Sequence, residues 1–145
     1  MSRENFTPNL LGFGGLMPFF ICSAVGYIDA GEWSVRAQTA LGAYGAIILT
    51  FIGAIHWGRV LTQTDASAWY LWAITPALWA WFALSALPTK TALIALLPGF
   101  VAAWWVDYRV AGTTLLPAWY VRLRHQLTLG ACAALTLGAL APWSG

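Results

Sequence analysis

The stretch Ala37–Trp57, AQTALGAYGAIILTFIGAIHW, decides the fold class of this chain. It contains no acidic residue, lysine or arginine, and its length is close to the ~20 residues that a helix needs to cross the hydrocarbon core of a bilayer. Gly58 and Arg59 follow it, as at the capped and solvated end of a helix. We therefore predict a transmembrane helix that carries an ionisable group, His56, in its last turn.

The composition agrees with a membrane protein. Of the 145 residues, 60% are hydrophobic and 8% are charged, whereas soluble domains carry roughly 25% charged residues. Ten tryptophans and five tyrosines are present, and such rings favour the membrane–water interface. The net charge of +2 is dispersed and forms no basic stripe, which argues against nucleic-acid binding.

Five apolar stretches predict an all-α, polytopic integral membrane protein, a bundle of five transmembrane helices. We expect one membrane-embedded domain over residues 1–145, with a retained first span and kinks at Pro18, Pro76 and Pro98. The predicted spans cover about residues 10–28, 37–57, 66–87, 91–106 and 123–140.

Basic residues predict the orientation. With the N-terminus inside, five arginines lie on the inner side, whereas Arg36 and Lys90 lie on the outer side. This distribution favours a cytoplasmic N-terminus and a periplasmic C-terminus in a bacterial inner membrane. The five inner arginines are Arg3, Arg59, Arg109, Arg122 and Arg124.

Small residues mark two faces where helices are expected to pack closely. One face lies on the second span and the other, with a repeat of four residues, on the fifth. The predicted packing residues are Gly42, Ala46, Gly53, Gly130, Ala134 and Gly138.

Polar residues are predicted to converge at the inner interface, where ionisable groups tend to face a bundle interior or a cavity. The candidate ligand-binding residues are His56, Asp107, Arg109, Tyr120, Arg122 and His125. Imidazole and phenol groups can bond a quinone carbonyl, and arginine can hold a lipid phosphate. Alternatively, His56 and His125 could ligate one b-type haem. A purely structural interpretation also fits, with arginines as topology determinants beside an aromatic belt.

His56 is expected to need a hydrogen-bond partner, because an unsatisfied buried polar group costs ~1–3 kcal/mol. The connection between the fourth and fifth spans offers Asp107, Tyr108 and Tyr120 at a matching depth. We therefore predict that His56 contacts this connection.

Enzymatic activity is not indicated by any motif. The sequence lacks H-E-x-x-H, G-x-S-x-G, a P-loop and paired intramembrane carboxylates. Cys22 and Cys132 both lie in apolar segments without C-x-x-C spacing, as expected of packing residues, and no metal site is predicted.

Three segments of the chain carry a resemblance to a known family. The G-x-I-H-W-G run at Gly53–Gly58, together with Asp107-Tyr108-Arg109 and the P-x-W-Y-x-x-L-R-x-x-L-T run at Pro117–Thr128, resembles a family of unknown function. That family occurs in proteobacteria and includes a mitochondrial transmembrane protein of animals. The resemblance implies a small multi-pass protein of energy-transducing membranes, and it implies no activity, cofactor or catalytic residue.

The expected function is therefore that of a non-catalytic accessory, stabilising or assembly component of a larger membrane complex, or of a self-associating protein. The alternative is a quinone-, lipid- or haem-binding protein that uses the inner polar cluster. A small-solute transporter is a third possibility, although no charged residue is predicted at mid-membrane.

Overall fold

The computed structural model describes residues 3–28, 31–61, 67–109 and 118–142. Within these ranges the chain is helical apart from short turns, and it forms no strand, so the predicted all-α class is confirmed. The helices are α1 (Arg3–Gly14), α2 (Met17–Ile28), α3 (Glu32–Val60), α4 (Ser67–Ala86), α5 (Thr89–Arg109) and α6 (Ala118–Leu140).

Helix α3 lies at the centre of the molecule and packs against α2, α4, α5 and α6. It contains the whole stretch 37–57 from which the fold class was predicted. Leu41 and Leu49 of this helix are fully buried, as are Leu93 and Leu96 of α5. Phe19 of α2 joins the same core.

The first predicted span consists of two helices that are separated by a break at Gly15 and Leu16. The amide of Gly15 donates to the carbonyl of Leu11 at 2.9 Å. The carbonyl of Gly15 accepts a hydrogen bond from the Tyr44 hydroxyl at 2.9 Å. A side chain of α3 therefore satisfies a backbone group at the break, where intrahelical partners are missing.

Helix α3 extends beyond the predicted second span at both ends. It begins at Glu32, so residues that precede the predicted second span form its first turns, where Arg36 Nε donates to Glu32 Oε1 at 3.0 Å. This pairing of residues four apart lets charged residues remain helical. The helix runs to Val60, so the prediction of Gly58 as a helix cap is wrong.

The connection between the fourth and fifth spans is shorter than predicted, because Asp107, Tyr108 and Arg109 form the last turn of α5. Successive helical side chains point about 100° apart. Asp107 is consequently buried, whereas Tyr108 and Arg109 are exposed. Residues 62–66, which include most of the connection between the second and third predicted spans, lie outside the described residues, as does Pro117.

Among the described residues, three segments have the length and composition of membrane spans: Thr7–Ile28, Glu32–Gly58 and Thr89–Arg109. Helices α4 and α6 have 20 and 23 residues, which is long enough to cross a bilayer. Helix α4 is rich in Trp, and α6 carries basic side chains in its first third. The structure therefore supports an all-helical membrane protein with three candidate spans.

The small residues of α3 lie against α4 and α5. Gly42 faces leucine side chains of both helices. At Gly53, an added Cβ would lie 2.5 Å from the carbonyl oxygen of Ala73 in α4. A larger residue would therefore push α4 away, as expected of a close helix contact. Ala46 is partly buried against the core.

The small residues of α6 lie against α2, α3 and the break at Gly15 and Leu16. An added Cβ at Gly130 would meet the Leu16 side chain at 2.7 Å, and one at Gly138 would meet Leu41 of α3. The carbonyl of Ala134 accepts a hydrogen bond from Ser23 Oγ of α2 at 2.7 Å. Small side chains on this face therefore allow the backbone itself to bond across helices.

Candidate functional site

Three ionisable side chains from three helices meet inside the bundle. His56 lies near the end of α3, Asp107 near the end of α5 and Arg124 in the first third of α6. His56 Nε2 is 2.9 Å from Asp107 Oδ1, and Arg124 Nε is 2.7 Å from Asp107 Oδ2. The three residues are only 3%, 2% and 6% exposed. We call them the ion network.

The proton positions in the ion network follow from its chemistry. Arg124 can only donate, and an ionised carboxylate can only accept. Because Asp107 pairs with the Arg124 guanidinium, it accepts at both oxygens, and His56 therefore donates from Nε2. One carboxylate thus ties α3 and α6 to α5.

Helix α4 reaches the ion network through an aromatic contact. The ring of Trp69 stacks on His56, with centroids 5.5 Å apart and planes 11° apart. The predicted contact of His56 with the connection between the fourth and fifth spans is made by Asp107. The contact with Trp69 was not predicted.

A cavity of about 430 Å³ lies beside the ion network, between α1, α2, α3 and α6. Its volume falls within the roughly 300–1,000 Å³ typical of small-molecule sites. Leu11 of α1 and Phe51 of α3 line it and are also exposed on the outer surface of the bundle. The cavity therefore opens sideways, toward the bilayer of a membrane-embedded protein.

One face of α6 supplies the polar part of the cavity wall. Tyr120, Arg124 and Thr128 follow one another at intervals of four residues, and all three line the cavity. Arg124 Nη2 and Thr128 Oγ1 are buried without a hydrogen-bond partner among the residues that the structure describes. Both residues are 6% exposed. Most of the remaining wall is apolar.

Of the six predicted ligand-binding residues, the structure brings His56 and Asp107 together and places Tyr120 at the cavity. The other three, Arg109, Arg122 and His125, are exposed. The guanidinium of Arg109 lies 4.7 Å from the centre of the Trp105 ring, as expected of a basic residue in an aromatic belt.

The two histidines have different surroundings. His56 is buried against Asp107 and Trp69, whereas His125 is exposed and its ring centroid lies 5.5 Å from that of Trp104. Nε2 of His56 is bonded to Asp107 and is therefore not free to ligate a haem iron in this arrangement. No group of three or more His, Cys, Asp or Glu side chains within residues 3–28, 31–61, 67–109 and 118–142 is placed to hold a metal ion.

The sequence analysis missed Arg124 and Thr128 as site residues. Arg124 had been assigned to topology, and Arg122 was chosen in its place. On a helix these two positions point about 200° apart, so only one of them can face the bundle interior. The sequence does contain a signal for this site, the polar residues Tyr120, Arg124 and Thr128 at intervals of four. These residues share one helical face only if the helix begins at Ala118, before the predicted fifth span.

These features define a class: an all-helical membrane protein with a buried ion network beside a cavity of ligand size. Residues 5–140 match the family described as "Protein of unknown function (DUF3429)", and the chain belongs to that family. Transmembrane protein 69 of Xenopus tropicalis is 31% identical over 130 residues, which cover 86% of this chain and 50% of that protein. The chain thus spans about half the length of this curated relative. No solved structure matches this chain.

Proposed function

We propose that this protein is a non-catalytic membrane protein that binds one apolar-tailed small molecule in the cavity beside the ion network. The observation that carries the proposal is a pair of buried polar atoms, Arg124 Nη2 and Thr128 Oγ1, that have no hydrogen-bond partner among the described residues and lie in an otherwise largely apolar cavity wall. Buried polar groups are normally hydrogen-bonded. A ligand with an apolar body and one polar end supplies the missing partner.

The ion network supports binding rather than catalysis. Both oxygens of Asp107 are engaged, one by His56 and one by Arg124. A catalytic base needs an acceptor within reach of its substrate, and this carboxylate instead fixes the guanidinium at the cavity wall. In this proposal His56 and Asp107 are positioning residues for Arg124.

The proposal includes a topology of five spans with a cytoplasmic N-terminus in a bacterial inner membrane. Its support is the length of α4 and α6 and the distribution of basic residues along the chain. In this arrangement the ion network lies near the inner interface, where the α3 and α5 C-termini meet the start of α6.

The experiment fills the cavity without touching the polar groups. Ile55 lines the cavity, so Ile55→Trp places an indole in it. Ile47, on the same helix, is 63% exposed and does not line the cavity, so Ile47→Trp is the matched control. The full chain is purified from its own membranes in mild detergent, and bound small molecules are quantified by native mass spectrometry.

Wild type and Ile47→Trp are expected to retain one small molecule per chain, and Ile55→Trp to retain none. The same bound molecules in all three proteins, in the same amounts, would refute the proposal.

We also propose that this binding serves an accessory, stabilising or assembly role in a larger membrane complex. The engaged carboxylate and the absence of enzyme motifs in the sequence support a role without turnover. Co-migration with a defined larger assembly on native gels would be lost in Ile55→Trp and kept in Ile47→Trp. Migration of all three proteins as the isolated chain would contradict the role.

A further inference from the structure

The polar end of the cavity offers donors to a ligand. Arg124 Nη2 can only donate a hydrogen bond, and the Thr128 hydroxyl can donate or accept. The two residues lie one helical turn apart on the same face of α6, and both line the cavity. An oxygen atom with two lone pairs, placed between them, can accept from both.

Asp107 and Arg124 form a pair of opposite charges at this point. Asp107 contributes one negative charge and Arg124 one positive charge, and His56 is neutral when it donates from Nε2 and leaves Nδ1 unprotonated. The remaining side chains of the cavity wall carry no formal charge. An anionic ligand would add an unbalanced charge in a low-dielectric site, which is costly unless His56 takes up a proton. A neutral acceptor needs no such compensation.

We infer that the cavity recognises a neutral carbonyl oxygen on an apolar-tailed molecule, with Arg124 and Thr128 as its hydrogen-bond donors and the tail leaving between α1 and α3. This inference rests on the proposed function and specifies the ligand's chemistry. Two sources share that chemistry: an isoprenoid quinone and the ester group of a membrane lipid.

The test uses four probes that share a ten-carbon tail and differ only in their polar end. They are decyl-benzoquinone, decyl acetate, decanoate and decane, which carry a quinone carbonyl, an ester carbonyl, a carboxylate and no polar group. Binding to the full chain in lipid nanodiscs is measured by isothermal titration calorimetry. Nanodiscs that contain Ile55→Trp give the background from partition into lipid.

At least one carbonyl probe is expected to bind about tenfold or more tightly than decane, since hydrogen bonds that involve a charged donor are the stronger ones. The tighter of the two carbonyl probes identifies the source. If decanoate binds most tightly and its binding takes up a proton, the neutral-carbonyl inference is overturned. If decane binds as tightly as the carbonyl probes, the neutral-carbonyl inference is also overturned, but the proposed function stands. If no probe exceeds the Ile55→Trp background, the proposed function itself fails.

Substitution of Thr128 tests the donor directly. Thr128→Val keeps the shape of the side chain and removes the hydroxyl, so the affinity for the carbonyl probe should fall about fivefold, while that for decane stays unchanged. Thr136→Val is the control, because Thr136 is exposed on the same helix and bonds to its own backbone at Cys132. Equal affinities of wild type and Thr128→Val for the carbonyl probe would remove Thr128 from the site. Arg124→Lys keeps a positive charge beside Asp107 and should also weaken carbonyl binding.

Discussion

Removal of the Asp107 carboxylate should destabilise the fold more than loss of the whole ion pair. Asp107→Leu leaves the guanidinium of Arg124 and the imidazole donor of His56 buried without their acceptor. Each hydrogen bond to a charged group contributes ~1.5–3 kcal/mol. Two such bonds give a loss of roughly 3–6 kcal/mol, close to the ~3–5 kcal/mol that breaking a buried ion pair costs.

The double variant Asp107→Leu with Arg124→Met removes both charges at once. Only the neutral His56 donor is then unsatisfied, which costs ~1–3 kcal/mol. The double variant should consequently be more stable than Asp107→Leu alone. Replacement of a buried ion pair by apolar side chains often changes stability little. Comparison of the single and double variants therefore separates the effect of losing the pair from the cost of burying one unpaired charge.

The free energy of unfolding can be measured by titration of micelles with a denaturing detergent, with tryptophan fluorescence as the signal. Glu32→Ala, which breaks the exposed pair with Arg36, is the control and should change stability by less than about 0.5 kcal/mol. The reasoning is refuted if Asp107→Leu is as stable as wild type, or if the double variant is less stable than the single one.

Three further predictions concern the rest of the bundle. Ala134→Leu should lower the free energy of unfolding by about 1–3 kcal/mol, because Ala134 is fully buried against α2. Ala133→Leu, on an exposed face, is the control in the same unfolding assay. Equal stability of both variants would contradict the close contact. Gln38→Met should leave the thermal unfolding midpoint unchanged or raise it, since the buried Gln38 amide has no partner within the described residues; a lower midpoint would show that the amide is satisfied. Lys90→Cys and Arg109→Cys should react with membrane-impermeant reagents from opposite sides of the membrane, and labelling of both from one side would exclude the proposed topology.

That His56 contacts the connection between the fourth and fifth spans could be predicted from the sequence, because an ionisable group in an apolar helix needs a partner at its own depth. The choice among Asp107, Tyr108 and Tyr120 could not be made. It depends on α5 continuing to Arg109, since helical continuation turns Asp107 inward and Tyr108 outward. If Asp107 lay in a loop, as expected from the sequence, the direction of its side chain could not be inferred from helical geometry.

The cavity could not be predicted, because its walls come from segments far apart in the chain. The break at Gly15 and Leu16 was foreseen as a kink from the nearby glycines and Pro18. That it would form a wall opposite Tyr120 and Arg124 depends on how α1 and α6 meet. At Gly12 an added Cβ would lie 3.0 Å from Leu127, a contact that only the assembled bundle reveals.

The spacing of the ion network along the chain favours one order of assembly. Asp107 and Arg124 are 17 residues apart and belong to neighbouring helices, whereas His56 is 51 residues from Asp107. The shorter loop closes at the lower entropic cost, so Asp107 and Arg124 can pair within the α5–α6 hairpin before it meets α3. His56 then joins a carboxylate that is already paired. The two charged side chains of the ion network, Asp107 and Arg124, are thus matched within one hairpin, and only the imidazole needs a partner from a distant part of the chain.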